Sequence, residues 1–284
     1  GLLLDSNEKV AYSPLMPIRK TGKMVPFFCI HPAGGNGTVY TNLAQALGPE
    51  RPVWALQARG LGEDEKPHDT ISEMADEYVK AIRQVQEKGP YHLIGMSMGG
   101  VIAQEMACIL ESQGEKVDLL ALLDTSAKEE DGQLDTRSDE ERTTSLLRGI
   151  AQDLGIDANK ASLDNSELII AARDGLIKVG AIPALTPLSW FMKLLENSLQ
   201  SSKQIANHKK RPCNASILLV RALQDSLPED PSVFDWSIFT RGKVLKLEVD
   251  AKHSNMLWQP KSVQQLRDYL GAYLAESSDT ELIV

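Results

Sequence analysis

The sequence is poor in what several function classes require. Cysteine occurs three times, as Cys29, Cys108 and Cys213. They lie far apart, and Cys29 and Cys108 sit inside the apolar runs PFFCI and AQEMACIL, so neither a disulfide framework nor a metal site is suggested. Positive charge is in deficit. The formal net charge of −9 is spread over short mixed patches and offers no electrostatic footprint for nucleic acid or an anionic membrane. No apolar run reaches the roughly 18 residues of a membrane span, and the opening GLLLDSNEKV lacks the basic and apolar segments of a secretory signal. The expectation is a cytoplasmic protein with neither a nucleic-acid nor a membrane partner. Internal repeats and low-complexity tracts are also missing. The first residue is not methionine and the first twenty residues are linker-like, which fits a segment of a longer polypeptide.

What is present is enough for a sizeable core: 284 residues, 42% hydrophobic, suit one α/β domain with one insertion. Short apolar runs recur at 25–30, 53–58, 91–96, 118–124, 215–222 and 244–250, each of the length and continuity of a strand buried on both faces of a parallel sheet. Helical patterns lie between them. The clearest covers 71–87, where Ile71, Met74, Ala75, Tyr78, Ile82 and Val85 form one stripe and Thr70 with Glu73 forms a capping box. This alternation predicts a mostly parallel, doubly wound sheet. It breaks between Asp124 and about Pro212, where helical patterns follow a highly charged stretch, KEEDGQLDTRSDEER. Helices inserted after a strand that bears a reactive residue often serve as a lid.

One motif carries chemistry. In YHLIGMSMGGVIAQEMACIL an apolar strand runs through Gly95-Met96-Ser97-Met98-Gly99 into a helix, the context of a nucleophile elbow in an α/β-hydrolase sheet. A serine there needs small neighbours for a tight turn, and the following helix N-terminus favours a developing oxyanion. A serine hydroxyl also needs a base and a carboxylate to orient it. Among the five histidines, His253 follows the last predicted strand and precedes the terminal helix, as the chain order serine, acid, histidine requires. His31 and His92 read as structural, and His68 and His208 as residues of charged surface segments. For the acid, Asp124 and Asp225 each follow a strand, and spacing does not choose between them. Backbone N–H groups of Met98 and of the loop His31-Pro32-Ala33-Gly34-Gly35 are the oxyanion candidates; that loop lacks the lysine of a phosphate loop. Trp190, Phe191, Leu194, Leu195 and Leu199 form an apolar stripe that either lines a substrate chamber or is the buried face of its helix. The basic run Lys209-Lys210-Arg211 reads first as solvated, and second as a contact for an acidic partner domain.

Taken together, SPLMPIRKTGKMVPFFCIHPAGGNGTVYTNLA, WALQARGL, HLIGMSMGGVIAQEMA, LLALLDT and HSNML resemble the thioesterase domain that ends a nonribosomal peptide synthetase or modular polyketide synthase. The resemblance spans nearly the whole chain outside the insertion. It implies the α/β-hydrolase fold, with residues 1–22 a linker from an upstream carrier domain, 23–124 and 213–284 the core, and 125–212 a helical lid. It assigns the acid to Asp124, which stands 27 residues after Ser97, with Asp225 held in reserve. The site it implies is Ser97 as nucleophile, His253 as base, and Ala33 and Met98 as oxyanion donors. No cofactor is bound directly: an acyl or peptidyl chain arrives on the phosphopantetheine of the carrier domain and leaves by hydrolysis, macrocyclisation or oligomerisation. A free-standing editing thioesterase, a small-molecule esterase and a non-catalytic binding module are the alternatives. The charged opening of the insertion has no counterpart in the resemblance.

Overall fold

The computed structural model describes residues 12–62, 65–128, 137–156, 165–225 and 231–280. Much of the charged opening of the insertion, residues 129–136, lies outside them. The strands are β1 (Leu15–Arg19), β2 (Phe27–Ile30), β3 (Val53–Leu56), β4 (Tyr91–Met96), β5 (Val117–Leu123), β6 (Ile217–Ala222) and β7 (Val244–Val249). They form one sheet in the order β1-β3-β2-β4-β5-β6-β7, parallel throughout except for the antiparallel pair β1–β3. All six strands expected from the apolar runs are present. The seventh, β1, lies within the stretch read as linker and brings it into the sheet at residues 15–19, where Leu15 to Arg19 pair with Val53 to Leu56; residues 1–11 lie outside the described residues.

Strand burial follows position in the sheet. Every residue of β2 and β4 is buried, whereas β1 and β7, at the two edges, are largely half-buried or exposed. One face is covered by α2 (Ile71–Arg83) and α3 (Met98–Ser112), the other by α1 (Thr41–Ala46) and α7 (Pro260–Thr280). The Thr70–Glu73 capping box starts α2 as expected. That helix ends at Arg83, four residues before the expected end at 87, and Val85 beyond it is exposed.

Between β5 and β6 stand α4 (Asp139–Asp153), α5 (Asn165–Lys178) and α6 (Leu188–Asn207). They share a small apolar core of Leu147, Ala151, Leu168, Ala172, Ile182, Phe191 and Leu195, separate from the two clusters that flank the sheet. The chain reverses its winding direction between β2 and β4, which are neighbours in the sheet although β3 lies between them in sequence. At such a switch point the loops leaving two adjacent strands part and open a crevice at their C-terminal ends. Those loops are His31–Gly35 and the turn at Ser97.

Candidate active site

Ser97 sits between β4 and α3 with φ 56° and ψ −124°. It and Asp124, with φ 45°, are the non-glycine residues at positive φ among the described residues. Such backbone costs on the order of 1–3 kcal/mol and persists where surrounding structure enforces it. Both positions are pinned by bonds that extend the sheet: Ser97 N–H donates to Leu123 O at 2.9 Å, and Asp124 N–H donates to Val220 O at 2.7 Å. The glycines around Ser97 answer to backbone packing. A Cβ at Gly95 would collide with the carbonyl of Gly99, and one at Gly99 with the carbonyl of Ile30. The elbow therefore rests directly on the end of β2.

The candidate acid and the candidate base meet. Asp124 Oδ2 accepts from His253 Nδ1 at 2.7 Å, and its Oδ1 accepts from the Ala222 N–H at 3.0 Å. An ionised carboxylate only accepts, so His253 carries its proton on Nδ1 and keeps Nε2 as the basic nitrogen. The Asp124 side chain is 10% exposed and that of His253 43%, giving an oriented ring with an accessible edge. Behind Asp124, the Trp236 Nε1–H donates to the Thr125 carbonyl at 2.8 Å and fixes the turn. Asp225 has a different place: its carboxylate accepts from the backbone N–H of His253, not from the ring.

The other histidines are committed elsewhere. His31 is buried, with Nε2 bonded to the Tyr78 hydroxyl at 2.7 Å, and burial lowers its pKa to about 4. His92 lies toward the opposite end of the sheet against Phe27, and burial together with the Arg51 guanidinium lowers it to about 4. His68 and His208 depart from the expectation of surface residues. Their side chains are only 7% and 6% exposed, set against Glu77 and Glu105 respectively.

Helix α6 packs over the loops beside this site. Lys193 reaches the Gly62 carbonyl, Asn197 Nδ2 donates to Arg59 O at 3.0 Å, and Gln204 Nε2 donates to His68 O at 2.5 Å. Gly34, with φ +89°, has Leu194 and Ser198 so close that a Cβ would lie 2.8 Å from the Ser198 hydroxyl. A small cavity lined by His31, Gly35, Ala58, Asn197 and Gln204 remains beneath. A concavity of about 1090 Å³ opens at the other end of the sheet beside Lys23, Arg51 and Asp118, away from Ser97.

The stripe on α6 divides between its two readings. Phe191 and Leu195 are buried in the core of the helical insertion, where they meet α4 and α5. Trp190 and Leu194 are half-buried at its margin, and Leu194 faces the His31–Gly35 loop. Sequence reasoning missed the polar residues of the same helix. Asn197, Ser201 and Gln204 are buried, and their signal was polar spacing at three and four residues along a helix otherwise read for its apolar face. Among the described residues, no group of three or more His, Cys, Asp or Glu could hold a metal ion, and no helix is long and apolar enough to cross a membrane.

A serine on a strained elbow, a carboxylate-bound histidine and a glycine-rich loop at one switch point define an α/β-hydrolase. The fold is shared with the thioesterase domain that cyclises the lipopeptide antibiotic surfactin, at TM-score 0.66 and 21% identity over 92% of this chain and 95% of that one. The model of the thioesterase domain family matches residues 25–231, and the chain belongs to that family. It is 33% identical over 269 residues to a dimodular nonribosomal peptide synthase of Bacillus subtilis, covering 94% of this chain and 11% of the relative. It is 38% identical over 142 residues to malpinin synthetase of Mortierella alpina, covering 50% of this chain and 2% of the relative. The chain thus spans a small fraction of these relatives' length. The resemblance to thioesterase domains of nonribosomal peptide synthetases, drawn from the motifs, is borne out, and the chain is a thioesterase.

Proposed function

We propose that the domain releases an acyl or peptidyl chain held as a thioester on the phosphopantetheine arm of an upstream carrier domain, using Ser97, His253 and Asp124. The observation that carries this reading is the 2.7 Å bond from His253 to Asp124 at the same edge of the sheet as the strained Ser97. In it, His253 Nε2 takes the serine proton as Oγ attacks the thioester carbonyl, and Asp124 stabilises the imidazolium. The tetrahedral oxyanion is held by the N–H groups of Met98 and Ala33. Collapse expels the thiol, which receives the proton from His253, and leaves an ester on Ser97. A second attack, by water or by an amine or hydroxyl of the same chain, frees the product as an acid or a ring. No resident cofactor enters these steps.

The experiment is to offer the domain a carrier-linked acyl chain and examine it by intact-protein and peptide mass spectrometry. An acyl adduct on Ser97, missing from Ser97→Ala, is the expected result. Thioester turnover that survives in Ser97→Ala would overturn the reading.

A further inference from the structure

We propose that His31, braced by Tyr78, is a positioning residue for the oxyanion hole, aiming and polarising the Ala33 N–H. The proposal deepens the reading above and rests on its assignment of Ala33 as a donor. It begins with a peptide plane. The Pro32 carbonyl and the Ala33 N–H belong to one planar unit, so whatever fixes the oxygen fixes the direction of the N–H on the other side. That oxygen has two donors: His31 Nδ1 at 2.8 Å and the Gly35 N–H at 3.1 Å. Hydrogen bonds accepted by an amide oxygen draw density from its nitrogen and strengthen the N–H as a donor.

The proton positions follow from the partners. A carbonyl only accepts, so Nδ1 of His31 bears the hydrogen, and Nε2 of the neutral ring accepts from the Tyr78 hydroxyl at 2.7 Å. Tyr78 comes from α2, 47 residues along the chain, and is itself buried. Its ring meets the imidazole edge-on, with centroids 5.7 Å apart. Burial lowers the pKa of His31 to about 4 and raises that of Tyr78, so both stay neutral near pH 7 and this arrangement of protons is kept. Filling the space alone would favour an apolar side chain, because a buried imidazole must be compensated by hydrogen bonds. Both its nitrogens are bonded, and one of those bonds ends on the peptide that faces the reacting carbonyl. The adjoining carbonyl of Ile30 is also held, accepting from the Tyr40 hydroxyl at 2.7 Å, so the loop leaves β2 from a fixed end.

The test compares His31→Leu, His31→Asn and Tyr78→Phe with the parent chain. The amide nitrogen of asparagine overlies Nδ1, so His31→Asn can still donate to Pro32 O, whereas leucine cannot. For His31→Leu, kcat should fall about 10- to 100-fold with KM within about twofold, as expected when a group acts mainly in the transition state. His31→Asn should recover most of that loss, and Tyr78→Phe should lose part of it. Infrared difference spectra of the acyl-enzyme on Ser97 supply a readout that loss of packing would not move. Weaker oxyanion donors should shift the ester carbonyl band to higher wavenumber in His31→Leu and Tyr78→Phe, and not in His31→Asn. If His31→Leu does not fold, the Tyr78→Phe band and kcat decide. An adduct whose band is unshifted, or equal losses in the leucine and asparagine variants, would overturn the role of His31 alone. Failure of the parent to form the Ser97 adduct would overturn the triad and this proposal together.

Discussion

The sheet and the three helices inserted between β5 and β6 are built on different plans. In the sheet, the candidate catalytic groups stand at the ends of strands whose side chains are buried on both faces, and they are tied to each other through backbone. Ser97 donates to the end of β5, Asp124 donates to the end of β6, and the Ala222 N–H donates back to Asp124. The three helices gather most of their apolar residues in the cluster around Phe191 and Leu195, and α6 meets the sheet side through Lys193, Asn197 and Gln204, with Leu194 against the His31–Gly35 loop and Ile205 against the core of the sheet. Apolar burial contributes about 25 cal/mol per Å², while a typical net hydrogen bond contributes about 1 kcal/mol. The helical cluster therefore has an apolar core of its own, and its seam with the sheet adds hydrogen bonds that are individually small contributions.

The sharpest way to probe the sheet side is to set its two aspartates against each other. Asp124→Asn should lower kcat by about 10⁴-fold, because an amide presents the wrong partner to Nδ1. Asp225→Asn, which alters the acceptor for the backbone N–H of His253 and not for its ring, should cost about tenfold or less. Steady-state kinetics on a common thioester checks both, and a larger loss at Asp225 would reverse the assignment. On the lid side, Phe191→Ala should destabilise the helical cluster by about 3–5 kcal/mol. Limited proteolysis should then cut within 137–207 well before the sheet melts. If both bodies unfold together at the same lowered midpoint, the lid is not a separate unit.

A pH series addresses the buried histidines of the sheet. His31 and His92 have pKa values lowered to about 4, by burial and, at His92, also by Arg51, against an ordinary 6.5. The folded state thus favours their neutral rings. That stabilisation is complete above pH 6.5 and is lost as the pH falls toward 4, at about 2 kcal/mol for each ring by pH 4.5. Urea unfolding at pH 7.5 and 4.5 should show His92→Gln losing about 2 kcal/mol less than the parent across the interval. Equal losses would mean that His92 does not resist protonation in the folded state. The smallest expected effect is at the seam. Asn197→Ala removes one hydrogen bond to Arg59 O and should cost about 1 kcal/mol, seen as faster amide exchange in α6 with little change in the sheet.

These contrasts explain what could be read from the sequence. Strands β2, β4, β5 and β6 announced themselves because burial on both faces demands unbroken apolar runs. β1 did not: LMPIR is a half-buried edge strand with a proline in it, and such a strand reads as linker. Ser97 was legible because glycine spacing, strand and helix all coincide there. The choice between Asp124 and Asp225 was not, since both lie at strand ends beside His253, one at its ring and one at its main chain. Nor can an apolar stripe name the body it packs against, which is why Phe191 and Leu195 read equally as chamber or core. The bond between His31 and Tyr78 joins residues that nothing in the local pattern connects.

The contact of Gly99 with the carbonyl of Ile30 has a mechanical consequence. Two stretches of main chain this close act as a stop, and that stop sets the spacing between the turn at Ser97 and the His31–Gly35 loop that leaves β2. Under the proposed release mechanism, excursions of the helices above would alter which chains are admitted, while the seat of Ser97 keeps its dimensions.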